Sequence, residues 1–155
     1  MKQNGCNINK ELKGVKIRKG QRKDLKDIAE ILRIESAKAP YNERYTKKIA
    51  EKAAAEFFNA ELYVAENDKE IIGFVCSYKT AGDIKKAYID ELWLKARCQG
   101  YGIGRKLMDT IEHLYRRKGV KIIRLVTRKK AAAFKFYKKL EYKEYRELVF
   151  LEKEI

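Results

Sequence analysis

The chain of 155 residues is 45% hydrophobic and 38% charged, with nine glycines and a single proline. That balance excludes a disordered, collagen-like or low-complexity chain, and the length suits one domain with a core large enough to need no disulfides. Its formal charge of +15 is uneven: 14 basic against 6 acidic side chains in residues 1–50, 7 against 9 in 51–100, and 16 against 7 in 101–155. A basic chain leaves nucleic acid, anionic membrane and phosphorylated cofactors open as partners. The run IIGFVC at 71–76 is far too short for a membrane-spanning helix of about 20 residues. No apolar segment follows Lys2, so a cytoplasmic protein is expected.

Residues 1–13 are polar and aperiodic and are expected to form a flexible leader ahead of a single domain over 14–155. VKIR at 15–18 alternates apolar and basic residues, as a short strand does. From Asp24, a candidate N-cap, Leu25, Ile28, Ala29, Ile31 and Leu32 recur at helical spacing, and this helix should end before Ala39-Pro40. A second helix is predicted over 46–59. ELYVAE at 61–66 and EIIGFVCSY at 70–78 read as a hairpin about Asn67-Asp68, followed by a strand, AYIDELWL, at 87–94. Leu107, Met108, Ile111, Leu114 and Tyr115 trace the most amphipathic helix, with Gly119 just past its end. A strand at 122–127, a helix at 131–140 and one or two closing strands within 142–153 complete the pattern. The order predicts an α/β fold, one sheet with helices on both faces.

Cys6, Cys76 and Cys98 are odd in number and widely spaced, no CxxC occurs, and His113 is the single histidine. No zinc or other metal site is therefore expected. Ser36 and Ser77 lie outside any GxSxG turn, which argues against a serine nucleophile. The segment that can carry chemistry is the βαβ unit formed by strand 87–94, the loop QGYGIG at 99–104, the amphipathic helix and strand 122–127. Glycines let the backbone approach a ligand closely, and the unpaired N–H groups at the helix start, with the helix dipole, seat a phosphate. The dinucleotide fingerprint GxGxxG fails, because the third glycine falls one residue early, and GxxxxGK[ST] is absent.

The pattern that fits is Q/R-x-x-G-x-G/A, read as Gln99-Gly100-Tyr101-Gly102-Ile103-Gly104. With IRKGQRKDLKDI at 17–28, ELWLKARCQGYGIGRKLM at 91–108 and AAAFKFYKKLEY at 131–142 in that order, the chain resembles the GNAT superfamily of acyl-CoA-dependent N-acetyltransferases over about 15–151. The resemblance implies a mixed, mostly antiparallel central sheet flanked by helices on both faces, with one parallel, splayed strand pair. It implies acetyl-CoA as cosubstrate. Main-chain groups of Leu92, Trp93 and Leu94 would hold the pantetheine arm. Gln99, Gly100, Tyr101, Gly102, Ile103 and Gly104 would wrap the pyrophosphate, with Arg105 and Lys106 adding charge. Lys130 and Phe134 complete the cofactor-facing set. Lys130 stands where many members carry asparagine, and Glu141-Tyr142 replaces the usual Gly-Phe.

By the same resemblance, Tyr137 matches the tyrosine that protonates the departing thiolate. Ala133, Phe134, Tyr137 and Leu140 are expected to share one inward helical face. Glu91, on the same strand face as Trp93, matches an acidic position beside the acceptor and could take the ammonium proton. The implied reaction is direct attack of a primary amine on the thioester. The acidic middle third favours a small amine or a neutral-to-acidic peptide N-terminus over Lys-rich tails. Two other readings stay open: a non-catalytic acyl-CoA-binding regulatory module, and a nucleic-acid-binding protein, which would lack any helix-turn-helix, RRM or zinc signature. A homodimer is left open, and no membrane partner is expected.

Overall fold

The sheet is organised around the strand whose sequence is apolar on both faces. In a computed structural model that describes residue 12 and residues 14–80 and 85–155, β1 (Lys16–Lys19), β2 (Glu61–Asn67), β3 (Glu70–Lys79), β4 (Lys86–Leu94) and β5 (Ile122–Arg124) lie side by side in chain order. The first four pair antiparallel, and β4 with β5 is parallel. Along β3, Ile71, Phe74 and Cys76 enter one core and Ile72 and Val75 the other. A strand covered on both sides needs this continuous apolar run. Asp68 and Lys69 turn the β2–β3 hairpin with φ of 47° and 68°, the left-handed pair a two-residue turn demands.

Helices α1 (Leu25–Ser36) and α2 (Lys47–Phe57) cover one face of the sheet. Helices α3 (Ile103–Arg117) and α4 (Ala132–Lys139) cover the other. Ile28, Ile31 and Leu32 of α1 and Leu107, Met108, Ile111 and Tyr115 of α3 are fully buried, each aliphatic side chain worth about 1.5–3 kcal/mol. Thr46 caps α2, its Oγ1 accepting the N–H of Ile49 at 3.2 Å. Asp24 stands before α1 but does not cap it. Its carboxylate instead accepts from Arg18 at 2.8 and 2.9 Å and from the N–H of Gln21 at 2.8 Å, tying β1 to the helix start.

Two expectations change, and a third lies outside the described residues. The strand predicted over 122–127 ends at Arg124, because the chain then turns away from β4. No strand forms in 142–153, although its residues alternate suitably, since no ladder partner is presented to them. The leader assigned to 1–13 falls outside the described residues except for Leu12, which packs against the core. Cys6 also lies outside them, whereas Cys76 and Cys98 are buried free thiols. Among the described residues no helix is long and apolar enough to cross a membrane, and no group of three or more His, Cys, Asp or Glu could hold a metal ion.

Candidate active site

The site begins as a failure of strand pairing. β5 pairs with β4 only at Lys86, Ala87 and Tyr88, while β4 runs on to Leu94. Against β3, Cys76 faces Glu91 but Ser77 faces Ile89, so Asp90 is the extra residue of a β-bulge. A bulge bends its strand and strengthens the local twist. Beyond it, one edge of β4 has no strand partner among the described residues. Gly73 lets the end of β4 pass close on the other side: a Cβ there would sit 2.8 Å from the Trp93 carbonyl oxygen and inside the Leu94 side chain.

A cavity of about 480 Å³ occupies the gap. Its walls are residues 89–93 of β4, residues 125–128 after β5, Ala133 and Tyr137 of α4, Tyr41 and Glu43 between α1 and α2, and Phe150 and Glu152 near the chain end. Glu91 and Tyr137 thus face one space. Glu91 Oε2 accepts the indole N–H of Trp93, and the Trp93 ring meets Tyr41 edge-on at 4.9 Å between centroids. Burial pushes the Glu91 carboxyl up to about 7; the Trp93 hydrogen bond opposes this, and the Asp90 and Glu43 carboxylates add to it. Tyr137 is 8% exposed and held between Phe136 and Tyr142 at centroid distances of 5.2 and 5.8 Å. Burial, with Tyr41 and Glu91 adding, holds its hydroxyl above the ordinary phenol range, so it stays protonated at neutral pH. That hydroxyl has no hydrogen-bond partner among the described residues.

The glycine loop lies at the end of the same strand. Gln99 Nε2 donates to the Leu94 carbonyl at 3.1 Å, tying the loop back to β4. Gly100 and Gly102 have φ of 84° and 79°, and a Cβ at either would meet nothing within 4 Å. Left-handed backbone, not crowding, is what calls for glycine here. Gly102 is the α3 N-cap and brings no side-chain cap, so the N–H groups of Ile103, Gly104 and Arg105 meet no capping oxygen from it. The space beside the loop is open, and the donors and the exposed Arg105 and Lys106 suit a phosphate group.

The expected residues divide accordingly. Glu91, Leu92, Trp93 and Tyr137 line the cavity; Leu94 and Gln99 join it to the loop. Tyr101 is exposed, whereas the Ile103 side chain is buried. Gly104 closes α3 onto its neighbours, since a Cβ would lie 3.2 Å from Phe136 Cζ and 3.4 Å from Leu94 Cδ1. Ile103 and Gly104 can therefore offer main chain only. Arg105 Nη2 donates to the Lys139 carbonyl at 3.4 Å. Lys130 is exposed and Phe134 half-buried, and neither lines the cavity. The inward face of α4 is Ala133, Phe136, Tyr137 and Leu140, so Phe136 takes the core position expected of Phe134. Tyr41, Glu43, Arg128, Phe150 and Glu152 escaped the sequence reading: the first three stand in connections with no local signal, and the last two fell in the segment expected to form closing strands.

The family model described as acetyltransferase (GNAT) family matches residues 25–142. A comparison with curated proteins finds no match. Among solved structures, a possible acetyltransferase from Clostridium difficile 630 superposes with a TM-score of 0.78 at 15% identity, covering 91% of this chain and 98% of that one. The PaiA N-acetyltransferase from Thermoplasma acidophilum, in complex with coenzyme A, is 27% identical with a TM-score of 0.66, covering 82% and 88%. An aminoglycoside acetyltransferase from an uncultured soil metagenomic sample gives 0.70 at 21% identity, covering 91% and 96%.

Proposed function

The chain belongs to the acetyltransferase (GNAT) family, and from that membership we propose that it is a cytoplasmic N-acetyltransferase moving an acetyl group from acetyl-CoA to a primary amine. The observation that carries the reading is that Glu91 and Tyr137 face one cavity beside the strand that leads into the open glycine loop, where they would serve as proton acceptor and proton donor. Acetyl-CoA, when bound, supplies the activated acyl carbon. The first-turn N–H groups after Gly102, with Arg105 and Lys106, would hold its phosphates. On the unpaired edge of β4 the main-chain N–H groups of Leu92 and Leu94, whose neighbour Trp93 turns its own toward β3, would be donors of the kind that stabilise a developing oxyanion.

An amine must lose its proton before it attacks. A carboxylate near pH 7 is a base matched to neutral operating conditions, and burial brings the Glu91 carboxyl to about that value. Glu91 accepts the ammonium proton directly or through water. Tyr137 keeps a proton at its hydroxyl oxygen and gives it to the leaving sulfur. The test is an amine panel with acetyl-CoA as donor, read by release of free thiol. Amine-dependent release that is lost in Gly102→Asp is expected. Thermal stabilisation by acetyl-CoA without release from any amine would replace the reading with that of a non-catalytic acyl-CoA-binding module.

A further inference from the structure

The cavity is acidic in a chain that is not. Glu43, Asp90, Glu91 and Glu152 line it against a single cation, Arg128, whereas the chain as a whole carries +15. Proton removal needs one carboxylate, and Glu91 is that one. Elsewhere Glu30, Glu35, Glu61, Glu66, Glu70 and Glu144 each have a Lys or Arg partner, while Asp27, Glu56 and Asp109 stand apart from one another on exposed helix faces with none among the described residues. Among the described residues Glu43, Asp90 and Glu152 have none, and Glu43 is met only by the Tyr45 hydroxyl at 2.7 Å. What sets the three apart is that they share one cavity with Glu91, where like charges repel unless a ligand supplies the opposite charge. A second, independent observation lies in the same space: the Tyr137 hydroxyl, on a side chain more than nine-tenths buried, has no partner among the described residues. The Tyr41 and Trp93 rings share the lining with the acidic groups, and such rings suit a methylene chain and can face a cation.

Resting on the transferase reading above, we infer that the acceptor carries a second ammonium group beyond the one that reacts. It is a linear diamine or polyamine whose reacting end meets Glu91 and whose free end is held by Glu43 and Asp90, with Glu152 at the rim. The methylenes lie along Tyr41 and Trp93. Each solvated carboxylate contributes modestly, so two or three together should favour a diamine over a monoamine of equal length by about tenfold or more at low salt.

The experiment compares 1-aminobutane, 4-amino-1-butanol and 1,4-diaminobutane as acceptors, reading kcat/KM from thiol release at low and moderate salt. The wild-type diamine-to-monoamine ratio should be about ten or more and should shrink as salt rises. In Glu43→Gln combined with Asp90→Asn, that ratio should fall toward one. Neutralising Asp90 also eases ionisation of Glu91, but equally for every acceptor, so the ratio isolates the second ammonium. Both positions are exposed, and a melting temperature confirms folding of the variant. A wild-type ratio near one, a ratio unchanged in the double variant, or a clear preference for a neutral peptide N-terminus over the diamine would each overturn the inference. Failure of the transferase reading looks different: no acceptor releases thiol. Calorimetric binding of diamine against monoamine then tests the charge argument by itself, and equal affinities would sink it.

Discussion

Glu91→Gln is the substitution whose consequence can be worked furthest. Burial raises the carboxyl from 4.5 to about 7, with Asp90 and Glu43 adding and the Trp93 N–H opposing; the Tyr41 and Tyr137 hydroxyls and Arg128 complete the polar groups around it. A raised carboxyl binds a proton in the folded chain that the unfolded chain has already released. Stability therefore falls as pH rises from 4.5 to about 7 and levels off above, the reverse of a salt-bridged carboxylate. At about 1.4 kcal/mol per pH unit, that interval sets a ceiling of about 3 kcal/mol, and partial solvation brings it to about 1–2 kcal/mol. The amide keeps an oxygen for Trp93 and discards the charge. For a chain of this size 1 kcal/mol moves the melting temperature by about 2–4 °C, so the variant's advantage should widen by about 2–8 °C between pH 5 and pH 8. Thermal melts of both proteins at the two pH values read this directly, without any substrate. A gap that stays constant would show that Glu91 titrates as an ordinary carboxylate and would remove the argument for it as a neutral-pH base. In activity, the acid limb near pH 7 should vanish in the variant, leaving only the limb set by the acceptor amine.

Tyr137→Phe should lower turnover by roughly 10²–10⁴-fold while retaining the thermal shift given by acetyl-CoA. Its stability should match wild type, because the deleted hydroxyl has no partner to lose; equal turnover would make Tyr137 a packing residue only. Gly102→Asp puts a side chain at a φ of 79°, at a cost of about 1–2 kcal/mol, and sets a negative charge at the helix start. Acetyl-CoA should then no longer raise the melting temperature, Gly102→Ala should keep most of the shift, and an undiminished shift in the aspartate variant would move the phosphate site elsewhere. Gly73→Ala drives a methyl group against the Trp93 carbonyl and Leu94 and should cost about 1–3 kcal/mol by urea unfolding; an unmoved midpoint would refute the close passage of β4.

How legible each element was in the sequence follows from whether its pattern is local. Leu107, Met108, Ile111 and Tyr115 repeat because one stripe of α3 meets the core, and the stripe is read without knowing what it meets. The unbroken apolar run of β3 likewise announces a strand covered on both faces. Strand ends are different, because a ladder needs a partner. Leu125-Val126-Thr127 continue the strand composition of β5, yet they line the cavity instead of pairing. Tyr145, Leu148, Val149 and Leu151 have strand-like character and lie exposed. The bulge at Asp90 is invisible from β4 alone, since it exists only in the register with Ser77 and Cys76. Glu91 and Tyr137 could be found through their surrounding motif; Tyr41 and Glu43 belong to no motif and reach the cavity through the path of the α1–α2 connection.

One strand explains how a strongly basic chain can offer surfaces of opposite sign. β4 ends at a loop whose neighbours, Arg105 and Lys106, belong to the basic last third of the sequence. A few residues earlier its bulge exposes Asp90 and turns Glu91 toward the cavity. At physiological salt, fields between exposed charges fade within about 8 Å. The two ends of the cleft are therefore governed by their own linings, and the net charge of +15 governs neither. That charge, considered alone, kept nucleic acid among the candidate partners. The lining of the cavity points the other way, because a phosphodiester there would meet the like charge of Glu43, Asp90 and Glu152, whereas an ammonium would meet opposite charge.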